Sequence, residues 1–251
     1  MPIYTNSTTL GQIIGPGLAV RTDGEGCINI TEDSVRVRAV SETKDVYLDY
    51  TLPTDVSEFY IYELEDTFWL FFEWIKGFLG VVGSGSRPVT LVTPAENPGS
   101  KIRLESEKLR YQFRPIDSRY THSVDRSPSD EIMSECEISH GAFALAVRVA
   151  NLLGNQLRVE LNPRRQVVEF SVNGDTDEFR YQLSTEQISH IHGAASTLTI
   201  SIKRLRDLIT VVPDASTVSL QFTGKHLIYE IKFPIPGANL QVYIAKLGDE
   251  I

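Results

Sequence analysis

Apolar and polar residues alternate through most of this chain. In VRVRAV the apolar positions are Val35, Val37 and Ala39, and in VEFSV they are Val168, Phe170 and Val172. Spacing of two puts each set on one face of a strand. Each run is followed by a polar turn, SETKD at 41–45 and GDTDE at 174–178, and then by a second alternating run. At one constant offset Thr43 meets Thr176, Asp45 meets Glu178, Val46 meets Phe179 and Leu48 meets Tyr181. The same phrase written twice points to a duplicated domain.

The same reading extends along both halves. The first half predicts a helix over Thr8–Ile14, stopped by Gly15-Pro16-Gly17. Strands follow near 27–31 and 34–40, joined by a turn at Glu32-Asp33, and then 46–52 and FYIYEL at 59–64. FWLFFEWIKGFLGVV, residues 68–82, reads as a helix buried on nearly all sides. It is too short to span a bilayer and is interrupted by Glu73 and Lys76. Beyond the loop GSGSRP come strands 88–93, 101–105 and 108–116. Residues 117–134 are polar, contain a Ser-Pro and read as a linker. The second half predicts helices over Gly141–Leu153 and Ser201–Val212. Its strands fall at 156–161, 166–172, 178–184, 195–200, 217–222, 226–233 and 239–245. Short strands, frequent turns and two helices per half give an α+β fold with antiparallel sheets. The expected division is domain 1 at 1–116, a connecting loop at 117–134 and domain 2 at 135–251.

Composition narrows the class only modestly. The 251 residues are 41% hydrophobic and carry a net charge of −9, with Arg outnumbering Lys 16 to 8. A basic protein is excluded, but a basic lining inside an acidic body is not. Cys27 and Cys136 lie far apart, one in each half, so a disulfide framework is not expected. MPIYTNSTTL lacks a basic region and a long apolar run, so no signal peptide is expected, and the sequons at Asn6 and Asn29 are read as chance.

Chemistry-bearing patterns are sparse. His190 and His192 in HIHG share a strand face as metal pairs do. They need further ligands, none lies near in sequence, and no metal or other cofactor is expected. GVVGSGSRP lacks the Lys-Ser/Thr of a phosphate-binding loop and precedes a strand. No nucleophile–base order or paired carboxylate frame stands out, so no enzyme is expected.

Three stretches carry a family resemblance: ITEDSVRVRAVSETKDVYLDYTLP; FALAVRVANLLGNQLRVEL with VVEFSVNGDTDEFRYQL; and TLTISIKRLRDLITVV with TVSLQFTGKHLIYEIKFPI and LQVYIAKL. Their order and spacing resemble the PCNA-type DNA sliding clamps of archaea and their viruses, over most of the chain. Departures are visible. His226 stands where the family commonly has Pro, and Lys246 follows Ala245 where the family has Ala-Pro. The first helix holds no lysine, and the second helix of the first half is apolar.

The resemblance implies a clamp fold of two similar domains, closing as a head-to-tail homotrimer around duplex DNA. The implied partners are a DNA polymerase, a clamp loader and other proteins bearing a clamp-binding peptide, in the cytoplasm. The implied joining strands carry Tyr111, Phe113, Phe179 and Tyr181. These aromatics could pair across chains or pack within their own sheets. The implied DNA lining is Lys76, Arg114, Arg148 and Lys203, with Arg21, Arg204 and Arg206 as weaker additions. The implied peptide pocket is Val40, Val46, Leu48, Ile132, Met133, His226, Tyr243 and Ala245, although Val46 and Leu48 also read as plain core. Two alternatives stay open: a clamp-like protein that does not encircle DNA, such as a monomeric decoy, and a viral structural β-rich protein.

Overall fold

The computed structural model describes residues 2–20, 25–54, 66–83, 85–93, 101–117, 130–174, 177–211, 217–233 and 237–247. Its residues form two compact units. Unit 1 is Met1–Val40, Leu48–Arg126 and Pro234–Ala238; unit 2 is Ser41–Tyr47, Ser127–Phe233 and Asn239–Ile251.

Unit 1 begins with β1 (Pro2–Asn6), α1 (Ser7–Val20), β2 (Glu25–Ile30), β3 (Ser34–Val40) and β4 (Val46–Pro53), whose first two residues fall in unit 2. It continues with β5 (Asp66–Phe71), α2 (Phe72–Val82), β6 (Pro88–Val92), β7 (Ile102–Ser106) and β8 (Leu109–Phe113). β1, β6, β7 and β8 form one antiparallel sheet in that order, and β4, β3, β2 and β5 are ordered neighbours in another. Alternate residues of β3 (Val35, Val37, Ala39) are at most 1% exposed, as the period-two pattern requires.

Unit 2 repeats the plan. Its elements are β9 (Ser134–Ser139), α3 (His140–Leu153), β10 (Gln156–Asn162), β11 (Val167–Asn173), β12 (Glu178–Gln182), β13 (Ile188–Gly193), β14 (Ser196–Ser201), α4 (Lys203–Val211), β15 (Thr217–Phe222), β16 (His226–Lys232) and β17 (Asn239–Ala245). The order β12-β11-β10-β14 copies β4-β3-β2-β5, and β9-β15-β16-β17 copies β1-β6-β7-β8. α1 and α3 are both 14 residues long, each directly behind its unit's first strand. In each unit the two helices pack on one another, α1 on α2 and α3 on α4.

Several boundaries differ from the sequence reading, each for a physical reason. α1 does not stop at Gly15-Pro16-Gly17 but runs through Pro16 to Val20. Its start is capped by Asn6, whose Oδ1 accepts from the Thr9 amide at 2.8 Å. Burial of Ile13, Ile14 and Val20 at 0–1% exposure outweighs the proline penalty. Gly17 also has a packing role, because a Cβ there would overlap the ring of Phe72 on α2. The same ring closes against Gly26 on β2, so Phe72, fully buried, wedges α2 between α1 and the sheet.

The apolar run 68–82 splits in two. Its aromatic start, Phe68 to Phe71, is a strand paired antiparallel with β2, and only Phe72–Val82 is helical. Aromatics favour strands, and a strand ladder takes up their backbone groups. α2 is amphipathic, burying Phe72, Ile75, Phe78 and Val82 and exposing Glu73, Lys76 and Val81. β1 and β9 went unread because PIYTN and SECEIS hold few apolar residues. FYIYEL lies outside the described residues, as do 118–129 of the linker.

The polar turn SETKD is built on Ser41. Its Oγ accepts from the amides of Asp45 and Val46 at 3.0 Å each and donates to Asp45 Oδ1 at 2.6 Å. Lys44 takes the left-handed conformation, φ 54°. Cys27 and Cys136 are buried and not joined in a disulfide. Among the described residues no helix is long and apolar enough to cross a membrane.

Candidate functional site

The four helices concentrate positive charge. Lys76 (α2), Arg148 (α3) and Lys203, Arg204 and Arg206 (α4) face only Glu73 and Asp207 as helix anions, in a chain of net charge −9. Arg148 and Lys203 are exposed. Lys76 is also exposed and sits 3.1 Å from Glu73, a helical neighbour three residues back. Arg206 lies 3.0 Å from Asp207. Exposed pairs of this kind contribute little and leave the cation available to a second anion. Arg114 is exposed just past β8. Arg21 and the side chain of Arg204 lie outside the described residues. α3 carries no charge besides Arg148, because its small apolar residues Ala142, Ala146 and Ala150 pack on the sheet.

Among the strands that end a sheet, β8 and β12 have no second partner strand among the described residues. β8 closes the order β1-β6-β7-β8, and β12 closes β12-β11-β10-β14. Four of the five β8 residues are exposed. Tyr111 is 38% exposed, whereas Phe113 is 7% exposed and turns inward, its ring 5.0 Å from that of Trp74. Two apart, they share a strand face with their rings 5.6 Å apart, and Tyr111 is the more accessible of the two. Phe179 and Tyr181 on β12 are half-buried, their rings 6.4 Å apart. The Tyr181 hydroxyl accepts from Gln187 Nε2 at 2.9 Å.

Beside β8 in unit 1 lies a groove of about 340 Å³ lined by Trp74, Gly77, Phe78 and Val81 of α2 and by Leu109 and Tyr111 of β8. Val81 is 69% exposed and Leu109 40%. Glu73 and Arg110 stand at its rim. Apolar side chains left open next to an unpaired edge mark a surface suited to another chain. The sequence reading put Val81 in a helix over 68–82 buried on nearly all sides and Leu109 in the strand 108–116, and gave no sign that both would be exposed. Val81 is exposed because α2 begins at Phe72 and buries Phe72, Ile75, Phe78 and Val82 instead.

Residues expected at a peptide pocket fall into two groups. Val40, Val46, Leu48, Tyr243 and Ala245 are buried, with Leu48 fully so. Within unit 2 the rings of Tyr47 and Tyr243 meet edge to face at 5.5 Å, and the Ala245 amide donates to the Asp45 carbonyl at 2.8 Å. Ile132 and Met133, by contrast, are 46% and 50% exposed. His226 is 5% exposed, and its Nδ1 lies 2.7 Å from Asp130 Oδ2. Its Nε2 is buried with no partner among the described residues. Asp130 sits in the polar linker and carried no signal as a histidine partner.

Comparison with known proteins agrees with this architecture. No family model matches the chain. A DNA polymerase sliding clamp of Methanosphaerula palustris is 22% identical over 208 residues, 83% of this chain and 82% of the relative. One from Methanoregula boonei is 19% identical over 212 residues, 84% of each. Among solved structures, A. fulgidus PCNA bound to the C-terminal region of FEN-1 superposes with a TM-score of 0.81 at 15% identity, covering 100% of this chain and 99% of the other. PCNA from Thermococcus kodakaraensis gives 0.76 at 18% identity, covering 98% and 99%. The repeated topology is thus that of a DNA clamp, α+β with antiparallel sheets. Curated homologues named DNA polymerase sliding clamp match it over most of its length.

Proposed function

We propose that this chain is a non-catalytic processivity factor that closes head-to-tail as a homotrimer around duplex DNA. The observation that carries this reading is that β8 on one sheet and β12 on another are open edges among the described residues, with an apolar groove beside β8. Joining β8 of one copy to β12 of the next is a heterologous contact, which closes when the rotation per copy divides a full turn. β8 and β12 are each 5 residues long, enough for a short ladder, and Val81, Leu109 and Tyr111 add apolar area around it.

The proposed DNA contacts come from the helices, through Lys76, Arg148, Lys203 and Arg206, with Arg114, Arg21 and Arg204 alongside. Such contacts go to phosphates and read no sequence, so the ring can hold DNA and still slide. Threefold repetition multiplies these cations without a basic protomer. The division at 1–116, 117–134 and 135–251 follows from the tandem repeat.

The A. fulgidus relative binds the C-terminal region of FEN-1, and we carry that mode of partner recognition to this chain. Ile132 and Met133 offer the accessible apolar part of the peptide site. Val46, Tyr243 and Ala245, buried in the same unit, are its proposed support, and His226 replaces the family proline. Polymerase and loader peptides would dock there, in the cytoplasm.

Light scattering at several salt concentrations, paired with retention on circular versus linear DNA, tests the proposal. A trimer retained on circles and lost from linear ends is expected. A monomer would favour a decoy, and large assemblies a structural protein.

A further inference from the structure

Three side chains of unit 2, unused by the clamp reading, converge on one surface point. β13 pairs antiparallel with β9, placing Ile191 opposite Cys136 and His192 opposite Glu135. Cys136 and Ile191 point into the core, 1% and 9% exposed. By alternation Glu135, His190 and His192 stand together on the other face. A register shift between Ile188 and His190 bends the strand just before this point. Gly193 ends it with φ +96°, and a Cβ there would come within 2.6 Å of Ser134 Cα. Glycine therefore lets β13 lie flush on β9 and keeps His192 opposite Glu135.

The donor atoms form a triangle. His190 Nε2 lies 3.0 Å from His192 Nδ1, and Glu135 Oε1 lies 3.8 Å from the former and 3.5 Å from the latter. Zinc–nitrogen and zinc–oxygen bonds of about 2.0–2.2 Å at tetrahedral angles require donor separations of about 3.3–3.5 Å. The observed sides lie within about 0.5 Å of that requirement. Both histidines are 56% exposed and Glu135 28%, so an ion can enter from solvent. Two imidazoles with one carboxylate suit borderline divalent ions, whereas calcium and magnesium select all-oxygen sets.

We propose that Glu135, His190 and His192 form a binding site for a divalent transition-metal ion of the zinc class. The three donors hold one face of the ion. The fourth position is open to water or to a donor from another macromolecule. Binding clips β13, the outer strand of its sheet, to β9. The third ligand comes from β9, the strand paired with β13, and not from the sequence neighbourhood of the histidines.

The test uses the full chain made without a polyhistidine tag, titrated with Co²⁺ alone and then displaced with Zn²⁺. Expected are one ion per chain, visible absorption bands of four-coordinate Co²⁺, and their loss on adding Zn²⁺. His190→Ala and His192→Ala should each weaken Zn²⁺ binding by about 100-fold, and Glu135→Gln by about tenfold. All three positions are at least partly exposed, so the variants should fold, which circular dichroism checks. The proposal is overturned if the wild-type chain binds Zn²⁺ no more tightly than the His190→Ala/His192→Ala double variant. Light scattering on the same samples reports the trimer separately, so failure of the metal site is distinguishable from failure of the ring.

Discussion

Replacing Val81 with glutamate should take the proposed ring apart without unfolding the chain. Val81 is 69% exposed in the isolated chain, beside Glu73 and Leu109 on the groove next to β8. The protomer therefore loses almost nothing. At a joined interface the same position is covered. Losing the valine forfeits about 1–2 kcal/mol of apolar burial. Leaving a carboxylate there unpaired adds about 1–2 kcal/mol more. The sum is about 2–4 kcal/mol per interface. Releasing one chain from a closed ring breaks two interfaces, or about 4–8 kcal/mol, which weakens assembly by about 10³–10⁶-fold. Light scattering across a dilution series reads this directly, with Val81→Ala as an intermediate step. If Val81→Glu stays trimeric over the same concentrations as the wild type, α2 and β8 do not form the joint.

Lys203→Ala removes up to three phosphate contacts per ring, so the log–log salt dependence of DNA affinity should flatten by up to about 2.7, since each contact contributes about 0.9; fluorescence anisotropy at graded salt measures it, and an unchanged slope would remove Lys203 from the lining. Asp130→Asn exchanges a charge-assisted partner of the buried His226 for a neutral one and should cost about 1 kcal/mol, lowering the melting temperature by about 2–4 °C in a chain of this size. Burial pushes the Tyr50 phenol up to about 12. Its contribution is therefore complete below the ordinary value near 10 and fades as pH rises through 12, for a total of about 2–3 kcal/mol. Alkaline unfolding followed by tyrosinate absorbance should shift to higher pH in Tyr50→Phe.

The repeat was legible because its signal is local. SETKD and GDTDE sit between alternating runs, and alternation alone specifies which face of each strand is buried. The second-half helices were legible for the same reason, through the stripe of Ile202, Leu205, Leu208 and Ile209. α1 was cut short because Gly15-Pro16-Gly17 reads as a stop until Phe72 arrives from elsewhere in the chain to pack on Gly17. FWLF was taken into the helix because a short apolar run has no period of its own; its pairing with β2 decided the matter. Among the candidate sites, the helix cations were readable as residue types. Asp130 beside His226 and Glu135 beside the histidine pair were not, because strand register and a returning loop create those neighbours.

Phe72 ties three positions into one inheritance unit. With a benzyl group at 72, alanine at 17 or at 26 collides with it, and a shrunken residue at 72 leaves both hydrogens facing a void. Divergent copies of this chain should therefore drift at these sites in concert. A single exchange made in the laboratory would misjudge how freely each position can vary once the ring has gone.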